Sequence, residues 1–108
     1  MLTDEYRYKI MKQIEANPSI SQRELARELG ISLGKVNFCL KALIDVGQVK
    51  ARNFKNNPNK SGYLYLLTPV GIEEKSKVTA RFLKRKIEEY DALRAEIENL
   101  QEDLRTRT

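Results

Sequence analysis

After Gly71 the chain runs to Thr108 without another proline or glycine. Nothing in that stretch breaks a helix. Thr68-Pro69 opens it: threonine can cap, and proline takes the first helical position, where a missing N–H costs nothing. Leu67 and Ile72 stand at the two positions of a hydrophobic staple. The pattern predicts a helix from Pro69 to Leu104, about 36 residues and about 54 Å long. Residues 1–68 cannot bury a helix of that length, so it either finds a partner or stands in water.

The same stretch carries a heptad seam. Leu83, Tyr90, Ile97 and Leu104 fall at a positions, and Thr79, Lys86, Leu93 and Leu100 at d positions, with Lys86 as one polar defect. Phe82, Glu89, Glu96 and Asp103 take g, and Ile87, Arg94 and Gln101 take e. A parallel pair sets Phe82 against Ile87, Glu89 against Arg94 and Glu96 against Gln101, whereas an antiparallel pair opposes acidic g positions. The expected interface of a parallel homodimer is therefore Thr79, Phe82, Leu83, Ile87, Tyr90, Leu93, Ile97, Leu100 and Leu104. The competing arrangement folds the helix back on its own head. Lys84-Arg85-Lys86 reads as a polar band, since Glu88 and Glu89 follow.

The head, residues 1–68, is a separate unit from the dimerisation helix, residues 69–108. Residues 3–16 predict a first helix, capped by Thr3, with Asp4 and Glu5 at its positive end and Tyr6, Ile10 and Ile14 on one face beside Met11. Asn17-Pro18 stops it. Ser21 and Glu24 form a capping box, and Ile20 and Leu25 its staple, so a short helix runs from Gln22 to Leu29 and ends at Gly30. Ser32 can cap a third helix at once. Val36, Leu40 and Leu43 give that helix a core stripe, and Gly47 stops it after Val46. The period then changes: Gln48–Phe54 and Gly62–Leu67 read as strands around a polar tip, residues 55–61.

Charge is concentrated where these elements meet. The chain carries 20 Lys and Arg against 15 Asp and Glu, net +5. Residues 35–60 hold six basic residues and one acidic, while residues 71–108 are neutral. A basic zone beside a neutral tail points to a polyanion. Helix, short helix, Gly turn, amphipathic helix and basic hairpin make a winged helix-turn-helix, whose third helix enters a DNA major groove. The expected fold is mainly α with a small β-hairpin, a winged helix-turn-helix head and a long C-terminal coiled-coil helix.

Ser21–Ser32 resembles the helix-turn-helix of MarR-type transcriptional regulators. The stretch YLYLLTPVG, residues 63–71, resembles their last wing strand and the entry to the next helix. ISLGKVNFCLKALIDVGQVK and TARFLKRKIEEY are similar to a small bacterial MarR subgroup associated with exopolysaccharide. The chain departs from the type by starting directly at its first helix, and by placing Phe38 where a basic residue is common on the reading face.

The candidate DNA contacts follow. Lys35, Asn37 and Lys41 project from the predicted reading face: Asn pairs with adenine in bidentate fashion, and Lys reaches guanine or phosphate. Ser32 caps the helix and can touch phosphate, and Gly34 lets backbone approach closely. Phe38 either meets a thymine methyl or tucks against the second helix or the wing. Arg23 and Arg27 are candidates from the second helix. Arg52, Lys55, Asn57 and Lys60 are wing candidates for backbone contact, while Tyr63 and Tyr65 read as sheet packing. Cys39 reads as a buried, inert thiol.

Without histidine and with a single cysteine, the chain has no zinc site, Ser-His-Asp triad or disulfide framework of its own. No enzyme and no cofactor are expected. No apolar run long enough to cross a membrane is present, and a cytoplasmic protein is expected. The expected function is a homodimeric DNA-binding transcriptional regulator, a repressor, on a pseudo-palindromic site. The rival is a protein-interaction module with a coiled-coil docking helix.

Overall fold

The computed structural model describes residues 2–53 and 63–107. Six elements follow in order: α1 (Asp4–Ala16), α2 (Gln22–Leu29), α3 (Leu33–Asp45), β1 (Val49–Asn53), β2 (Tyr63–Leu67) and α4 (Pro69–Thr106).

The helix ends are set by the residues the sequence offered. Thr3 caps α1 by accepting from the Tyr6 amide. Ser21 and Glu24 close a full capping box on α2, and Gly30 ends it at φ 66°, a left-handed conformation that glycine enters at no steric cost. Ser32 caps α3 two residues later. Helix α3 stops at Asp45, with Val46 as its C-cap, one residue before the expected end. Gly47 then turns the chain into β1 at φ 74°.

β1 and β2 pair antiparallel, from Val49 opposite Leu67 to Asn53 opposite Tyr63. β1 starts at Val49, one residue later than the sequence suggested, and Phe54 and Gly62, the expected inner ends of the two strands, lie outside the described residues. The loop after α1 docks on the free side of β2, where the Tyr65 amide donates to the Pro18 carbonyl at 2.9 Å. This bond ties the helix-turn-helix to the hairpin.

The core lies where α1, α2, α3 and the hairpin meet. Ile10, Met11, Ile14, Ile20, Leu25, Val36, Cys39, Leu40, Leu43, Val49 and Tyr65 form one buried cluster. Both members of the α2 staple are in it. The staple expected at the start of α4 is not closed in this way: Ile72 is 54% exposed.

Helix α4 has two parts. Its first turns lie antiparallel to α1. Gly71 and Val78 are buried, Lys75 reaches Glu15 at 2.7 Å, Arg81 reaches Asp4 at 2.9 Å, and the rings of Phe82 and Tyr8 lie 5.5 Å apart. Arg7 sits inside this seam. Its guanidinium donates to the side chain of the buried Gln48 at 2.9 Å and stands 3.8 Å from Glu74. Arg7 Nε is buried without a hydrogen-bond partner among the described residues. Beyond Phe82 every described residue of α4 is exposed. The radius of gyration is 18.9 Å, against about 13 Å for a compact chain of this length. The projecting rod explains the difference.

The result is a winged helix-turn-helix head carrying a long C-terminal helix. No helix among the described residues is long and apolar enough to cross a membrane.

Candidate nucleic-acid interface

The outermost row of α3 is Gly34, Phe38, Lys41 and Asp45, spaced by four, three and four residues and all exposed. Phe38 is 54% exposed, so it is not buried among the described residues. A Cβ built on Gly34 meets nothing within 4 Å, which leaves the surface there open. Ser32 is exposed, and its hydroxyl accepts from the Lys35 amide at 3.1 Å.

Two expected members of this row are turned aside. Lys35 and Asn37 flank the core residue Val36, and at about 100° per residue they fall on opposite sides of the helix. The Lys35 ammonium lies over the Tyr6 ring, 4.3 Å from its centroid, and so ties α3 to α1. Asn37 faces α2 and the wing. Its Nδ2 donates to Gln22 Oε1 at 3.3 Å, and Gln22 Nε2 donates to the Tyr65 hydroxyl at 3.2 Å. Of the three polar side chains expected on the outward face, Lys41 alone is exposed; Asn37, half-buried, stands beside it on the lining of the hollow between α3 and the hairpin. Asp45 was not singled out from the sequence, although its place four residues after Lys41 puts it on the row. It closes the row with a negative charge.

Between α3 and the hairpin lies an open hollow of about 310 Å³. Leu40, Ile44 and Ala51 supply apolar walls, and Gln22, Asn37, Lys41, Tyr63 and Tyr65 complete the lining. The two tyrosine rings stack at 6.4 Å, with Tyr65 buried and Tyr63 exposed. Sheet packing describes Tyr65 well; Tyr63 adds an aromatic face at the rim. Gln22 carries no sequence signal for this role, because its partners lie 15 and 43 residues away.

Arg52 is exposed, but strand alternation puts it with Lys50 on the face opposite Val49 and Ala51, turned away from the hollow. Arg23 and Arg27 are exposed on α2. Lys55, Asn57 and Lys60 lie outside the described residues. Cys39 is buried, and burial pushes its thiol above the ordinary range, which suppresses the reactive thiolate. Among the described residues no cluster of metal-binding side chains is formed.

Along α4 a second surface stands open. Leu83, Ile87, Tyr90, Leu93, Ile97, Leu100 and Leu104 are each between 46% and 69% exposed. Thr79 and Phe82, assigned to the same seam from sequence, are half-buried. The Thr79 hydroxyl donates to the Lys75 carbonyl at 2.6 Å, and Phe82 packs on Tyr8. Lys86, the polar defect, pairs with Glu89 at 3.1 Å, and Arg94 with Glu98 at 3.3 Å.

Residues 3–50 match the family model described as winged helix-turn-helix DNA-binding. The chain is similar to a mutant of MepR from S. aureus at 18% identity and a TM-score of 0.58, over 95% of this chain and 78% of that one. It is similar to a mutant of MarR from E. coli at 25% identity and a TM-score of 0.57, over 91% of this chain and 74% of that one. A MarR transcriptional regulator from Methanosarcina mazei Go1 is similar at 18% identity and a TM-score of 0.54, over 86% of this chain and 74% of that one. No curated protein matches the chain. Residues 3–50 thus match a winged helix-turn-helix DNA-binding model, and the chain shares its fold with these solved structures.

Proposed function

We propose that this winged helix-turn-helix chain is a MarR-type regulator, a homodimeric transcriptional repressor that reads a pseudo-palindromic site in the cytoplasm. The observation that carries the reading is the exposed row Gly34, Phe38 and Lys41 on a helix whose other sides are fixed to α1, α2 and the wing. Such a rod can enter a major groove about 12 Å wide without rearranging the core. Phe38 meets a thymine methyl, Lys41 reaches guanine or phosphate, and Gly34 lets the backbone come close. Wing residues Arg52, Lys55, Asn57 and Lys60 follow the flanking backbone. The reading involves no catalytic step and no cofactor.

The exposed stripe of α4 takes a second copy of the same chain. Seven large apolar side chains in one line favour association, at about 1.5–3 kcal/mol for each that becomes fully buried. The charge pattern selects a parallel pair, with Glu89 meeting Arg94 and Glu96 meeting Gln101 across the seam. Arg94 must then exchange its internal partner Glu98 for Glu89, and exposed ion pairs of this kind exchange at little cost.

Fluorescence anisotropy of a labelled random duplex, titrated across salt, tests the reading. DNA binding through Lys and Arg predicts log affinity falling linearly with log salt, by about 0.9 per phosphate contacted. The absence of salt-dependent binding contradicts it and favours the rival, a winged helix that docks proteins.

A further inference from the structure

Three elements converge on one amide. Asn37 of α3 gives one N–H to Gln22 Oε1 at 3.3 Å, and Gln22, the first residue of α2, gives an N–H to the Tyr65 hydroxyl at 3.2 Å. Tyr65 is only 5% exposed, and its own amide is held by the Pro18 carbonyl. The relay therefore starts from a buried, backbone-anchored ring and ends at a half-buried side chain beside the hollow between α3 and the wing.

The direction of the bonds matters. A primary amide has two N–H donors and one acceptor oxygen. With one N–H given to Gln22, Asn37 keeps its Oδ1 and one N–H. That donor–acceptor pair is the one adenine requires: Oδ1 accepts from the exocyclic N6 amine, and the N–H donates to N7. A free asparagine can turn its amide over and present the two groups in reverse order. Gln22 opposes that, since a turned Asn37 would set two amide oxygens against each other. A turn of Asn37 therefore requires Gln22 to turn with it, the Tyr65 hydroxyl then donating where it now accepts.

We propose that Gln22 and Tyr65 are positioning residues for base recognition, coupling the Asn37 amide to a buried, backbone-anchored ring and holding it where it reads adenine. This rests on the DNA-binding reading above and adds two residues that touch no base. Their effect falls on discrimination at one base position, not on affinity for DNA in general.

The test uses the full chain and its preferred duplex, with all four base pairs placed in turn at each position. Asn37→Ala should lower discrimination at one A·T position by about 5–150-fold. Gln22→Ala should lose about fivefold at that same position, the worth of one hydrogen bond. Its affinity for random DNA should stay at the parental value, and the head should still melt in one cooperative transition. Tyr65→Phe keeps the ring and should show a smaller loss at the same position. Gln22→Glu should restore discrimination, because its carboxylate accepts from both Asn37 and the Tyr65 hydroxyl, although its charge weakens binding to every duplex. Gln22→Ala that discriminates as the parent does, or that loses discrimination at a position Asn37→Ala leaves alone, overturns the relay. A parent chain with no preference among duplexes overturns the DNA-reading account and the relay with it.

Discussion

The tightest contact between the two parts of the molecule is at Gly71. A Cβ built there lies 1.9 Å from the Gln48 carbonyl oxygen, 2.9 Å from its carbon and 3.3 Å from its Cα. Ordinary contact begins at 3.4 Å, so Gly71→Ala forces a separation of about 1.5 Å. The obstacle is backbone, and it is held on both sides. The Gln48 carbonyl accepts from the Thr68 amide at 3.1 Å, and the Gln48 side chain accepts from Arg7 at 2.9 Å. Overpacking of this kind costs about 1–3 kcal/mol, and losing the Thr68 bond adds about 1 kcal/mol. The expected loss is about 2–4 kcal/mol, which a domain stable by 5–15 kcal/mol survives. Urea denaturation at fixed protein concentration reads it. With m about 1.5–2 kcal/mol/M, the midpoint should fall by about 1–2 M. A shift below about 0.3 M would show that α4 does not start against the Gln48 carbonyl, and the head-to-rod geometry would be wrong.

Gly34 should behave in the opposite way: Gly34→Ala in a helix with open space around it should stabilise the fold by about 0.5–1 kcal/mol in the same denaturation, yet weaken DNA binding. Replacing Leu93 and Leu100 together by Glu should yield a monomer in sedimentation equilibrium with an unchanged melt of the head, because both are already more than half exposed. Stability should be flat between pH 5 and 8, since the chain has no histidine to titrate there. It should fall in acid: the Arg81 hydrogen bond holds the Asp4 carboxyl below its ordinary range, and Lys9 does the same for Glu5, so their contribution is present above the ordinary carboxylate pKa and is lost as pH falls through the lowered values. Changing Lys55 and Lys60 to Ala should flatten the slope of log affinity against log salt by about 3–4 units, two phosphate contacts per subunit in a dimer, and an unchanged slope would remove the wing from the DNA contact.

Local chemistry made the fold legible. Capping residues, Gly30, Gly47 and the Thr68-Pro69 corner act within a few residues of themselves, so they mark element ends on the page as they do in space. Helical periodicity also placed the core of α3 correctly. The site was less legible, because side-chain direction there depends on distant partners. Lys35 turns toward Tyr6, 29 residues earlier, and Asn37 toward Gln22, which is held by Tyr65. Nothing in the spacing of residues 33–45 announces those partners. Asp45 was legible and overlooked, since its position follows from the same period as Phe38 and Lys41. The heptad marked the exposed apolar stripe from Leu83 to Leu104, but a repeat cannot show where a helix leaves its own head. That boundary depends on Tyr8 and Asp4 meeting Phe82 and Arg81.

Selection of bound fragments from random duplex DNA, followed by footprinting, addresses the whole account at once. A parallel dimer with one reading helix per subunit predicts an enriched site with two inverted half-sites, their centres 10–10.5 base pairs apart or a multiple of that. Each half-site should be protected in the major groove and contain an A·T pair sensitive to Asn37. Recovery of no preferred sequence, or of a single half-site without its inverted mate, contradicts the account.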